Sequence, residues 1–320
     1  MDEHYIVCIL ELITALCFNN TLYRDELCKL KLTNHILSAY NKFYNPTDFV
    51  LIKTLLSTLS NVVSDNFSYS ITDLLDTLSK LLQIENDSIL EKCLILLTNI
   101  LNIDKVDIDL LSSYINPKQL MKWLRDKEPY IQEHVVIVIS LFFNLSNKII
   151  SYFDELKLAK IIVSLNDEVL KNQIHNILHI LINLIRENNT CKLSFENSFL
   201  RKLITFSTNE IPRKLFGLFL TKYTSNLLYE ETVKLFNDGI FLTLYDYLRV
   251  GEKYAVKMTK QIFNKIKELI YRQEFDQSFQ TFEDKIKSEI KRQNFEEVEE
   301  NMEFFIPDYK LFFINEQSNY

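Results

Sequence analysis

Apolar residues recur at i, i+3, i+4 and i+7 along most of this 320-residue chain, and this spacing predicts amphipathic helices. Residues 87–101 (DSILEKCLILLTNIL) show it clearly, with Ile89 and Leu97 on one apolar face and Asp87 or Ser88 available as the N-cap. The same spacing continues in residues 71–83 and 167–185. Short polar connectors separate these segments, so we expect the chain to fold as a series of helices.

The scarcity of glycine argues against nucleotide-binding α/β folds. Such folds need glycine at tight turns and beside phosphate groups, but this chain has only three glycines. Neither G-x-G-x-x-G nor G-x-x-x-x-G-K-[ST] occurs in it. We therefore predict an all-α protein, with the 47% of apolar residues supplying a large core.

Charge, cysteine usage and hydropathy indicate the compartment. The net charge of −7 makes direct nucleic-acid binding unexpected. The five cysteines are scattered without a C-x-x-C pair, which is typical of core residues in a reducing compartment. The start MDEHYIVCIL lacks the features of a signal peptide, and the apolar run 135–145 is about half a membrane span. We expect a cytoplasmic or nuclear protein with no membrane span.

An internal period of about forty residues marks the chain. Asparagines flanked by apolar residues occur late in successive predicted helices, at steps of 42, 38, 45, 39, 43 and 38 residues. They are Asn19, Asn61, Asn99, Asn144, Asn183, Asn226 and Asn264. This period is typical of units of two or three helices, which bury their apolar faces by stacking. Since no Gly/Ser-rich or Pro-rich linker intervenes, residues 1–272 are expected to form one elongated domain.

Segment 88–101 resembles the third helix of an armadillo repeat, whose usual pattern is V-Q-x-x-A-x-x-A-L-x-N-L. Ile89 takes the place of the valine, Cys93 that of the first alanine, Leu97 that of the leucine and Asn99 that of the asparagine. The resemblance therefore rests on the apolar face of this segment and on Asn99.

Other segments carry the same resemblance. Residues 237–248 are similar to the second helix of an armadillo repeat, with Gly239 at the turn, and residues 51–63 match the third-helix register at Asn61. In the unit that contains residues 128–146 the asparagine comes one turn later than in the family pattern. The resemblance implies a right-handed α-solenoid of about six to seven degenerate armadillo-like repeats over residues 1–272, with HEAT repeats as the alternative.

In armadillo proteins the third helices line a concave groove, where asparagines bind the backbone of an extended peptide. A carboxamide suits this role because it both donates and accepts hydrogen bonds. By resemblance, the groove candidates are Asn61, Asn99, Asn144, Asn183 and Asn264, of which the first two fit the pattern best. The alternative is that these asparagines cap helices or bridge neighbouring repeats.

The chain does not resemble the nuclear-import adaptors of the armadillo family. Importin-α places a tryptophan four residues before the groove asparagine, whereas this chain has Ser57, Ile95 and Ser140 at those positions. It also lacks a basic N-terminal importin-β-binding segment. A role as a classical import adaptor is therefore not expected.

No sequence motif indicates an enzyme, a metal site or a cofactor. His175 and His179 stand four residues apart in HNILH, but the glutamate of the zinc-protease motif H-E-x-x-H is replaced by Asn176. We interpret the two histidines as packed or partly exposed side chains. No other set of Cys, His and Asp residues has the spacing of a nucleophilic site.

Two features near the C-terminus could bind a partner. Lys253, Lys257, Lys260 and Lys267 fall on a single helical stripe that could receive an acidic peptide or phosphate groups, or could be an ordinary solvated face. Residues 273–320 change from basic to acidic to aromatic, and this extension is expected to cap the last repeats or to bind a partner.

These features predict a non-catalytic scaffold that binds a protein segment in its concave groove. The alternative is a fixed structural subunit or chaperone-type regulator of a larger assembly, which would bind a folded partner through the solenoid or the C-terminal tail. The groove interpretation predicts asparagines along an open face. The assembly interpretation predicts a broad exposed apolar patch.

Overall fold

The computed structural model describes residues 3–18, 20–43, 45–63, 71–103, 107–145, 153, 155–185, 195–207, 209–226 and 231. All the regular secondary structure of these residues is helical. The prediction of an all-α fold is therefore confirmed for the part of the chain that the structure describes. No helix within this part is long and apolar enough to cross a membrane.

The chain divides into two compact units, Met1–Asn183 and Leu184–Tyr320. Fourteen helices are described, in this order: α1 Glu3–Cys17, α2 Thr21–Lys29, α3 Leu32–Phe43, α4 Phe49–Val62, α5 Ile71–Leu81, α6 Asp87–Leu101, α7 Ile108–Tyr114, α8 Pro117–Asp126, α9 Pro129–Leu145, α10 Glu155–Val163, α11 Asp167–Asn172, α12 Ile174–Ile185, α13 Asn197–Phe206 and α14 Glu210–Asn226.

The first unit is built around a row of helices. Helix α1 packs on α4, α4 on α6 and α6 on α9. The core between them is apolar and closed, as Leu55 and Leu59 of α4, Leu97 of α6 and Ile139 of α9 are almost completely buried. Because an amphipathic helix gains most of its stability from such packing, each row helix depends on its neighbours.

A second layer of helices packs against this row. Helix α3 packs on α4 and α5, α5 packs on α6 and α7, and α8 packs on α9 and α10. Leu74, Leu78, Leu120 and Leu124 are buried on the helices of this outer layer. The first unit is therefore a two-layered helical structure, in which the row helices contribute one layer.

Polar contacts show the period of the row directly. Side chains or backbone groups that meet between neighbouring elements lie 39 to 44 residues apart in the pairs Thr14–Thr58, Ser60–Asn99, Asp87–Lys127, Glu91–His134, Glu133–Asn172 and Ser140–His179. In the last two pairs, Glu133 and Ser140 of α9 meet Asn172 of α11 and His179 of α12, so the chain through α11 and α12 runs in the same direction as α9. Neighbouring row helices are thus about one predicted period apart in sequence.

Two details of the predicted helices were wrong. The N-cap of α6 is Asn86, whose side chain accepts a hydrogen bond from the Ile89 amide, rather than Asp87 or Ser88, which lie inside the helix. Segment 167–185 is two helices rather than one, because the backbone leaves the helical path at Gln173 between α11 and α12. In each case the apolar spacing is correct but does not reveal where the backbone hydrogen bonding begins or stops.

The described part of the second unit contains α13 and α14. Its core is aromatic: Phe195 lies 5.6 Å from Phe199, 5.8 Å from Phe219 and 5.3 Å from Tyr223, measured between ring centroids. The Phe195 amide also donates a 3.0 Å hydrogen bond to the Tyr223 hydroxyl. This bond satisfies a buried polar pair that would otherwise destabilise the cluster.

Candidate functional site

The two best-placed groove candidates lie on neighbouring row helices. We define the α4–α6 face by six partly exposed side chains, at helical spacing on each helix: Lys53, Ser57 and Asn61 on α4, and Lys92, Ile95 and Asn99 on α6. The buried side chains of the same helices point into the core, so these six form a mixed polar and apolar surface. Its composition suits contact with another polypeptide better than contact with a small ion.

Asn99 is bound to the neighbouring row helix. Its side-chain Nδ2 donates a 2.7 Å hydrogen bond to the backbone carbonyl of Ser60 on α4. That carbonyl lies near the end of α4, where the last carbonyls of a helix lack intrahelical partners. This contact is the bridging role that the sequence left open as an alternative, and it fixes the orientation of the Asn99 carboxamide.

Asn61 is held within its own helix. Its Nδ2 donates a 2.9 Å hydrogen bond to the carbonyl of Ser57, one turn earlier in α4. Because Asn99 contacts Ser60, the residue before Asn61, the two carboxamides are neighbours on the α4–α6 face. The structure therefore brings together the two asparagines that the sequence ranked first.

Both asparagines keep hydrogen-bonding capacity after these internal bonds. A carboxamide has two N–H donors and one acceptor oxygen, and each side chain uses one donor. No described residue donates to either Oδ1, and neither oxygen belongs to the buried unpartnered atoms of the described chain. The oxygens of Asn61 and Asn99 are therefore accessible acceptors with fixed orientation.

The other candidate asparagines differ from this pair. Asn144 is exposed near the end of α9. Asn183 is only 5% exposed and donates a 2.9 Å hydrogen bond to the carbonyl of His179, so its surroundings favour a structural role. Asn264 lies outside the described residues, as do Asn19 and Gly239.

The predicted basic stripe and the C-terminal extension also lie outside the described residues. This applies to Lys253, Lys257, Lys260 and Lys267 and to the whole of residues 273–320. The expectations for these segments remain predictions.

The two histidines of α12 have separate environments. Nδ1 of His179 lies 3.4 Å from the Ser140 hydroxyl of α9, whereas partial burial lowers the pKa of His175 by disfavouring its charged form. Within the described residues, no group of three or more His, Cys, Asp or Glu side chains could hold a metal ion.

None of the four described cysteines is in a disulfide, and only Cys8 among them is exposed. Cys17 and Cys28 share a buried cluster with Val62, and the Cys28 thiol donates to the Val62 carbonyl at 3.3 Å. Burial raises the pKa of Cys17, with a further contribution from Cys28 that nearby Arg24 opposes. Burial also raises the pKa of Cys93. Cys17 and Cys93 are therefore packing residues with little thiolate character.

Helix α1 carries an exposed apolar surface that was not predicted from the sequence. Tyr5, Ile9, Leu12 and Leu16 are 65%, 48%, 60% and 43% exposed, and together they form what we call the α1 stripe. The signal was present in the sequence, since α1 (EHYIVCILELITALC) is apolar on most of its circumference. A helix of that kind has more apolar surface than one neighbour can cover.

Comparisons with known proteins give similarity at the level of the fold. No family model and no curated protein matches the chain. An engineered protein solved as a Northeast Structural Genomics Consortium target is similar in structure, with a TM-score of 0.53 and 15% identity over 72% of this chain and 96% of that chain. A second engineered protein from the same consortium aligns with a TM-score of 0.56 and 15% identity, covering 81% of this chain and 68% of that one.

Proposed function

We propose that this chain is a non-catalytic scaffold that binds an extended segment of another protein across the α4–α6 face. The proposal rests mainly on one observation, the adjacent carboxamides of Asn61 and Asn99, each oriented by an internal hydrogen bond and each with an accessible oxygen. A backbone N–H of the partner would donate to these oxygens, and the remaining N–H groups of the asparagines would donate to backbone carbonyls.

The spacing of the row supports an extended partner. Packed helices lie about 8–10 Å apart, and an extended chain advances roughly 3.3 Å per residue. Neighbouring asparagines would therefore meet every second or third residue of the bound segment. Because their orientation is already fixed by Ser57 and Ser60, little side-chain entropy is lost when the segment binds.

We further propose that the first unit follows the armadillo arrangement and forms a right-handed superhelix. Support comes from the units α2–α3–α4 and α7–α8–α9, each of which has two shorter helices followed by a longer row helix. The alternative, HEAT repeats, have units of two helices. The pair α5 and α6 is compatible with such a unit in the described part of the chain. The scaffold would act in the cytoplasm or nucleus, in keeping with the described cysteines, none of which is in a disulfide.

The experiment is a quantitative affinity purification from native cells, with wild-type protein compared with Asn61→Ala/Asn99→Ala. Asn34→Ala is the matched control, because it removes an exposed carboxamide from α3, which is not a row helix and carries no groove candidate. Circular dichroism and thermal unfolding first establish that all three proteins are folded. A protein that is lost selectively from the double variant is then divided into peptides, and each is titrated against the purified chain.

The proposal predicts that one extended peptide binds the wild type and Asn34→Ala equally well but binds the double variant at least tenfold more weakly, as expected when about 1.4 kcal/mol of hydrogen bonding is lost. Equal recovery of all partners by the double variant would contradict it. The asparagines would then be structural, and the binding surface would lie elsewhere.

The second candidate function, a fixed subunit or regulator of a larger assembly, is favoured by the α1 stripe. That interpretation expects a broad exposed apolar patch, and α1 carries four large exposed apolar side chains on one stripe. A partner of this kind would still bind Asn61→Ala/Asn99→Ala. Its binding would be lost when Leu12 of the stripe is replaced by glutamate.

A further inference from the structure

Helix α1 is apolar on two separate faces. Ile6, Leu10 and Cys17 are buried, at 6%, 5% and 4% exposure, on the face that packs against α4. The α1 stripe lies on another face of the helix, since its residues follow one another at intervals of three or four and are displaced by about a third of a turn from the buried set. One face of α1 therefore has a partner in the described structure, and the other is open.

The position of α1 in the row explains why one of its apolar faces is exposed. Helix α4 lies between α1 and α6, and α6 lies between α4 and α9, so each has a row neighbour on two sides. Helix α1 is the first of the row and has one row neighbour among the described helices. The α1 stripe is therefore the kind of surface that packs against another helix.

We propose that a second copy of this chain covers the α1 stripe, with the two α1 helices packed together about a two-fold axis. Tyr5, Cys8, Leu12 and Ala15 follow one another at intervals of three, four and three residues, and all four are exposed. This spacing is that of the contact positions in a two-helix coiled coil. Large and small side chains alternate along it, so two identical helices can interlock.

Charge also favours a second copy over a charged partner. The six exposed residues of this face, Tyr5, Cys8, Ile9, Leu12, Ala15 and Leu16, carry no charge, and Glu11 lies at its margin. A neutral apolar face is complementary to itself and requires no group of opposite charge on its partner. An isologous contact of this kind closes after two copies, which gives a dimer rather than a filament.

The available area fits a reversible dimer. The exposed parts of the stripe amount to roughly 500 Å² per copy, if a large side chain contributes on the order of 150–250 Å² when fully exposed. Two copies would bury about 1,000 Å², at the lower limit for specific interfaces. We therefore expect dimerisation that depends on protein concentration in the micromolar range. It uses a different surface from the proposed α4–α6 site and does not depend on it.

Sedimentation equilibrium of the full chain tests the proposal. Wild-type protein should pass from one to two times the 38.0 kDa mass of the chain as its concentration rises through the micromolar range. Leu12→Glu should remain a monomer at all these concentrations. The matched control is Leu30→Glu, which makes the same change at a residue that is 70% exposed, compared with 60% for Leu12, and should dimerise as the wild type does.

Alkylation of Cys8 provides a second readout, which follows the dimer in the wild-type protein itself. Its rate, measured by peptide mass spectrometry, should fall at least fivefold between dilute and concentrated wild-type protein and stay constant in Leu12→Glu. Wild-type protein that remains a monomer throughout, or a dimer that Leu12→Glu leaves intact with Cys8 still reactive, would overturn the proposal.

Discussion

The Nδ2 of Asn99 donates a 2.7 Å hydrogen bond to the backbone carbonyl of Ser60, 39 residues earlier in the chain. This bond joins α6 to α4 at the point where α4 approaches its end. The Asn99 side chain therefore links two neighbouring helices of the row, while its oxygen stays available to a partner.

Asn99→Ala should lower the free energy of unfolding by about 1 kcal/mol, because the Ser60 carbonyl loses its donor in a partly buried position. Asn99→Asp should lower the free energy of unfolding further, since a carboxylate oxygen would then face the oxygen of the Ser60 carbonyl. Urea unfolding followed by circular dichroism measures both. Asn61→Ala is the control, and its effect should be below about 0.5 kcal/mol because only a bond within α4 is lost. Equal effects of Asn61→Ala and Asn99→Ala would mean that the bridge does not stabilise the row.

Thr58→Val should also destabilise the first unit, by about 1–2 kcal/mol. The Thr58 hydroxyl is fully buried and lies 2.8 Å from the Thr54 carbonyl of its own helix, but it also lies 2.9 Å from the Thr14 hydroxyl and 3.1 Å from the Leu10 carbonyl, and so connects α4 to α1. Thr77→Val is the matched control, because that buried hydroxyl bonds only to the Asp73 carbonyl of its own helix. Thermal unfolding compares the two, and a larger loss for Thr77→Val would argue against a polar connection between α1 and α4.

Asn86→Ala should lower the free energy of unfolding by about 1 kcal/mol. The Ile89 amide, in the first turn of α6, would lose the side-chain oxygen that accepts its hydrogen bond. Asn86→Asp should be nearly neutral, as aspartate caps equally well. Ser88→Ala, inside the first turn, should have little effect. Chemical denaturation of the three variants distinguishes the observed cap from the one expected from the sequence. A larger effect of Ser88→Ala than of Asn86→Ala would show that the helix begins later.

Cys8 should react with iodoacetamide in dilute native protein, whereas Cys17, Cys28 and Cys93 should react only after unfolding. The thiolate is the reactive form, and burial raises the pKa of Cys17 and of Cys93, so little thiolate exists in the folded state. Peptide mass spectrometry with and without urea gives the rate for each site. Native labelling of Cys93 as fast as that of Cys8 would contradict the burial of α6.

The apolar spacing predicted the helical class, and the recurring asparagines flanked by apolar residues predicted the approximate period. Residues 51–63 and 87–101 were expected to be equivalent, and the contact between Ser60 and Asn99 shows that their helices pack side by side. This part of the fold is predictable because burial on one side of a helix leaves a regular trace in the sequence.

Other features depend on contacts that the spacing does not encode. The break at Gln173 and the cap at Asn86 are matters of backbone hydrogen bonding. Whether an asparagine is bridging, exposed or buried depends on its neighbours, as Asn99 and Asn183 show in different ways. The α1 stripe was missed because an apolar residue is by default assigned to the core.

Both proposed binding surfaces depend on helices about 40 residues apart lying side by side, and zero-length crosslinking tests this most directly. A carbodiimide joins a lysine amine to a carboxylate only when the two are in contact. Lys127 forms an ion pair with Asp87, 40 residues earlier, and Lys80 forms one with Asp76 within α5. Wild-type protein should yield both isopeptide bonds, identified by mass spectrometry of the proteolysed monomer. Recovery of the Asp76–Lys80 bond without any Asp87–Lys127 bond would contradict the stacked row.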